Sequence, residues 1–125
     1  MMKHILIAAA VVLSANVVAS EVYVPKVYHD IAAAPTDQRN AEIASLFDRW
    51  NAALATGNAD SVAQLYAPDA VLEPTVSNEV RTTPAGIKDY FVKFLKLKPN
   101  GTINLREIRM LNDSSAVDTG VYTFD

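Results

Sequence analysis

Cysteine is absent from the chain. No disulfide can cross-link it, and no thiolate is available as a nucleophile or metal ligand. Histidine occurs only at His4 and His29, so no imidazole-based metal set can be built and no metal is expected. Positive charge is scarce: 11 Lys and Arg stand against 14 Asp and Glu, for a formal charge of −3. Nucleic-acid phosphates need a basic face, so no nucleic-acid partner is expected. Past the N-terminus, no apolar run approaches the roughly 20 residues of a membrane span. Internal repeats and low-complexity tracts are also missing, and 125 residues make one domain at most.

What is present begins with a basic start, Met1-Met2-Lys3-His4, followed by the uncharged apolar run Ile5–Leu13 and the small residues Val18-Ala19-Ser20 before Glu21. These are the three parts of a secretory signal. Cleavage is expected after Ser20, with Ala19 as the alternative. The mature protein would then be periplasmic or secreted, soluble, without membrane contact, and one unit more negative through loss of Lys3. Residues 21–38 read as a lead-in interrupted by Pro25 and Pro35. Its Val22-Tyr23-Val24 and Val27-Tyr28 segments are candidates to dock on the domain as a strand.

Residues 39–125 form the domain. Ile43, Leu46, Phe47, Trp50 and Leu54 repeat at helical period. Thr36 or Asp37 can cap this helix and Gly57 ends it. Asn58 can cap a shorter helix carrying Val62, Leu65 and Tyr66, closed by Pro68. Residues 70–73 read as a short strand stopped by Pro74. Thr83 caps a third helix with Pro84 at its first position, where a missing N–H costs nothing; its stripe is Ile87, Tyr90, Phe91, Phe94 and Leu95. Residues 102–111 and 115–124 then read as two strands joined by Asn112-Asp113-Ser114, with a bulge expected near Arg106-Glu107, where the alternation slips. Three helices before an antiparallel sheet make an α+β domain, and helices covering one sheet face leave a pocket at the open end.

The series Trp50, Ala53-Leu54, Gly57-Asn58-Ala59-Asp60 and Leu65-Tyr66-Ala67-Pro68-Asp69-Ala70-Val71-Leu72 resembles the opening of the NTF2-like superfamily. Glu73-Pro74, Arg81-Thr82-Thr83, Asp89-Tyr90-Phe91 with Phe94-Leu95, Pro99, Gly101 and Ile103, and Asp118, Gly120, Tyr122 and Phe124 are similar, more narrowly, to bacterial relatives of the association domain of calcium/calmodulin-dependent protein kinase II. The resemblance implies a cone of three helices on a curved antiparallel sheet, an internal cavity, and self-association through the sheet into a homodimer or larger homo-oligomer. It also implies two further strands, so the domain is expected to be incomplete at its C-terminal end. The kinase hub's cavity uses arginines and a histidine; the sheet arginine matches Tyr122 here and the helix histidine matches Ile87. No Gly-rich loop, His-Arg-Asp triplet or basic amphipathic helix supports kinase activity or calmodulin binding.

Six residues are the candidate pocket set: Trp50, Tyr66, Glu73, Arg81, Tyr90 and Tyr122. Glu73 shares a strand face with Val71. Turned inward, its carboxyl would have its pKa raised by burial and could act as a base or ligand acceptor; turned outward, it is solvated or paired with Arg81. Arg81 suits a carboxylate clamp or a surface ion pair. The aromatic residues could line the pocket with polar tips or simply fill the core. Asp118 reads as part of a solvated strand face, and His29 as a tail residue. The reading reached is a non-catalytic oligomerisation and small-ligand-binding module without cofactor. The alternative is a small cofactor-free SnoaL-like cyclase, isomerase or hydratase using Glu73.

Overall fold

Local capping sets the boundaries of every helix in the structure, a computed structural model that describes residues 24–125. The expected secretory signal and Val22-Tyr23 lie outside the described residues. Asp37 accepts the Asn40 N–H at 3.0 Å and opens α1, Gln38–Ala55. Gly57, at φ +66°, supplies the left-handed residue that turns the chain. The Asn58 side chain then accepts the Asp60 N–H at 2.9 Å and starts α2, Ala59–Ala63. Thr83 accepts the Gly86 N–H at 3.1 Å ahead of α3, Pro84–Phe94, which tightens into a 3-10 turn at Leu95–Leu97. Strands β1, Gly101–Met110, and β2, Ala116–Phe124, form a two-stranded antiparallel hairpin. No helix among the described residues is long and apolar enough to cross a membrane.

The core is helical. Leu54 of α1, Val62 of α2, and Ile87, Tyr90, Phe91, Phe94 and Leu95 of α3 and its 3-10 turn form one buried cluster. Each such side chain contributes about 1.5–3 kcal/mol when fully buried. The α3 stripe is the one expected from its spacing. The α1 stripe differs at one position: Leu46 is 50% exposed, while Ala44 is buried. The small Ala44 side chain lets the helix approach its neighbours, and Leu46 is left on the outer flank beside the exposed Leu65.

Three other expectations are corrected. The strand at 70–73 reduces to one bridge, in which Leu72 and Arg81 exchange backbone hydrogen bonds of 2.8 and 2.9 Å. Pro74, which has no N–H to donate, stops the ladder there. The described part of the lead-in docks through Asp30 and Ala32 rather than through Val27-Tyr28. Ala32 N–H donates to Ile103 O at 2.9 Å, Asn104 Nδ2 donates to Asp30 O at 3.1 Å, and Val24 and Val27 stay exposed. The bulge falls at Asn104, between the pairs Ile103↔Tyr122 and Leu105↔Val121. That extra residue moves the inward positions from Ile103 to Arg106, Ile108 and Met110, which is the slip in alternation seen near Arg106.

α1 is tied to the hairpin by a side-chain amide. Asn51 Oδ1 accepts the Gly101 N–H at 2.8 Å while its Nδ2 donates to Gly101 O at 3.1 Å, so one side chain stands in for a neighbouring strand at the start of β1. Gly120 is held equally closely: a Cβ there would sit 1.8 Å from the Leu105 carbonyl oxygen. Gly120→Ala is therefore expected to cost at least the ~1–3 kcal/mol of ordinary overpacking, read as a lowered urea midpoint. An unchanged midpoint would contradict this packing.

Candidate functional site

A cleft of ≈ 330 Å³ opens between the C-terminal half of α1, the bridge region, α3 and the end of β2. That volume lies at the small end of the range for small-molecule sites. Helical spacing delivers Phe47 and Trp50 from α1 and Tyr90, Phe91 and Phe94 from α3; strand alternation delivers Asp118, Tyr122 and Phe124 from β2. Tyr66 follows α2, and Leu72, Glu73, Pro74 and Thr75 form the rim beyond the bridge.

Five of the six candidate residues meet in this cleft: Trp50, Tyr66, Glu73, Tyr90 and Tyr122. Trp50 Nε1–H donates to the Tyr66 hydroxyl at 3.0 Å, fixing both rings. The Tyr122 and Thr75 hydroxyls lie 2.6 Å apart and link β2 to the rim loop. Burial pushes the Tyr66 phenol above its ordinary pKa of 10.0, partly offset by the Trp50 hydrogen bond. Burial also pushes the Tyr90 phenol up. Both hydroxyls are thus held neutral.

Arg81 does not join them. It is only 7% exposed, and its Nη1 pairs with Glu79 Oε2 at 3.0 Å. Its stem runs against Gly86, where a Cβ would lie 3.4 Å from Arg81 Cδ. The guanidinium therefore faces a separate hollow beside Val76, Ser77 and Lys93, and neither clamps a cleft ligand nor pairs with Glu73. Glu73 is exposed at the rim and makes no hydrogen bond among the described residues, so the burial an acid–base role would need is missing. Val71, expected on the inner face with it, is 60% exposed. His29 is an exposed lead-in residue outside the cleft.

Asp118, read as part of a solvated strand face, is an exposed residue that also lines the cleft and pairs with Arg106 Nε at 3.1 Å, the Arg106 side chain being 13% exposed. The signal for it was in the sequence: Asp118, Tyr122 and Phe124 are spaced evenly along one strand and so share a face. Arg106 stands behind Asp118, with its guanidinium 5.8 Å from the Phe47 ring centroid and its Nη2 buried without a partner among the described residues. Phe47, Thr75 and Phe124 were likewise not singled out. For Thr75, a loop residue, no sequence pattern could have done so.

The raised phenol pKa values carry a pH dependence. A folded-state pKa above the unfolded value of 10.0 means that the stabilisation is complete below pH 10 and is lost as pH rises through the folded pKa. The melting temperature should fall as pH rises above about 10. Tyr66→Phe should flatten part of that fall and cost about 1 kcal/mol at neutral pH through the lost Trp50 bond. Thermal melts from pH 7 to 11 check both; an identical alkaline slope in the variant would contradict the assignment.

Residues 39–125 match the family model described as the calcium/calmodulin dependent protein kinase II association domain. Among solved structures, the chain is similar to a protein from Xanthomonas campestris described as a calcium/calmodulin dependent protein kinase II association domain. Sequence identity is 60% and the TM-score 0.78, over 80% of this chain and 71% of that one. The α+β architecture and the NTF2-like resemblance agree with both findings. Through the match over residues 39–125, the chain belongs to the calcium/calmodulin dependent protein kinase II association domain family.

Proposed function

We propose that the protein is an exported association module that assembles with copies of itself and holds a small organic ligand in its aromatic cleft without transforming it. The family match carries the assembly reading. The outer sheet face is consistent with it: Leu105 and Val117 are 38% and 43% exposed on the side away from the helices, and a one-sided antiparallel sheet favours a partner when its outer face is apolar. The cleft supports the ligand reading through its size, its aromatic walls and its few polar tips. The binding-only reading rests on the state of the two cleft carboxylates: Asp118 is committed to Arg106, and Glu73 sits exposed at the rim.

Light scattering is expected to return a dimer or larger homo-oligomer, and Leu105→Glu with Val117→Glu should shift it toward monomer. A wild-type monomer at high concentration would overturn the assembly reading. The pattern of residues 1–20 supports export, so N-terminal sequencing of periplasmic material should begin at or next to Glu21. Recovery of Met1 there would overturn the export reading.

A further inference from the structure

We infer that the cleft selects an organic cation, an ammonium group on a small apolar or aromatic body, over neutral or anionic molecules of the same shape. This rests on the proposed reading of the cleft as a ligand site and adds the ligand's charge class to it.

Aromatic rings dominate the wall and are contiguous. Tyr122 and Phe124 have ring centroids 5.2 Å apart, Phe94 and Phe124 5.3 Å, Trp50 and Phe124 6.1 Å, and Phe47 and Trp50 5.7 Å. The faces of such rings are electronegative and attract a cation within about 6 Å of a centroid.

The charged groups point the same way. Glu73 and Asp118 are the charged side chains among the cleft residues, and among the described residues no Lys, Arg or His lines it. Arg106 approaches from behind, outside the cleft lining, with its Nε on Asp118 and its guanidinium over the Phe47 ring. Arg81 is turned to Glu79 in its own hollow. Asp118 is thus largely offset, and Glu73, without a partner among the described residues, sets the sign.

The polar tips complete the discrimination. The indole N–H of Trp50 is already given to Tyr66, and the Thr75 and Tyr122 hydroxyls are bonded to each other. An entering carboxylate would find hydroxyl donors such as Tyr66 and Tyr90, but no cationic side chain among the described cleft residues, and it would face the Glu73 and Asp118 carboxylates. An ammonium would meet ring faces, hydroxyl oxygens and the Glu73 carboxylate.

Trp50 is the single tryptophan of the chain and lines the cleft, so its emission reports occupancy. The full protein is titrated at pH 7 with benzylamine, which is cationic there, and with benzyl alcohol and benzoate as neutral and anionic counterparts. Benzylamine is expected to bind about tenfold tighter than benzyl alcohol, with benzoate weakest. In Glu73→Gln, a rim change that leaves the core untouched, the preference should shrink to about threefold or less. Equal or tighter binding of benzyl alcohol or benzoate would overturn the inference, as would a preference that Glu73→Gln leaves unmoved. No response to any of the three probes would overturn the ligand-site reading itself, and this inference with it.

Discussion

Phe91 is the ring on which the domain closes. It is fully buried and touches four other rings: Tyr90 at 5.1 Å, Tyr66 at 5.7 Å, and Trp50 and Phe94 at 6.3 Å between centroids. Those partners come from α1, from the segment after α2 and from α3, so one side chain sets the spacing of every helical layer. The same ring lines the cleft. The helical wall of the cleft is thus the exposed side of the core, completed by β2 and the rim loop.

The third helix was legible in full because its signals are local. Thr83 caps, Pro84 occupies a position that needs no N–H, and five apolar residues at helical spacing bury as a set. The Gly57-Asn58 turn was legible for the same reason. The misread positions depend on tertiary neighbours. Arg81 was open between a ligand clamp and a surface ion pair; the ion pair forms, but with the guanidinium buried, because its environment turns on Glu79 and on the bare backbone of Gly86, which no local pattern announces. Arg106 looked like a break in strand alternation because an inward-facing arginine violates the apolar rule unless a carboxylate meets it. Asp118, diagonally across the ladder, supplies that carboxylate, and the bulge at Asn104 is what turns Arg106 inward.

That Arg106–Asp118 contact is an ion pair built into the inner face of the hairpin. Ion pairs in such partly buried positions seldom add net stability, because desolvation offsets most of the attraction. What the pair does secure is orientation: Asp118 is held against β1 and Arg106 is kept over Phe47. Without it, two opposite charges would compete for the aromatic wall, and the electrostatic sign of the cleft would not be left to the rim.

α1 is fastened to the hairpin unequally at its two ends. Near the turn, Arg39 reaches Asp113 through a water-exposed contact of 3.3 Å, of the kind that contributes little. At the other end, the Asn51 amide grips Gly101 in both directions, and Asn100 and Asp125 exchange backbone hydrogen bonds beside it. The sheet is therefore bound like a book, stiff at the spine and loose at the fore-edge. Trp50, Tyr122 and Phe124 stand at the spine. A guest entering there meets walls already in position, and little of its binding free energy is spent on ordering them.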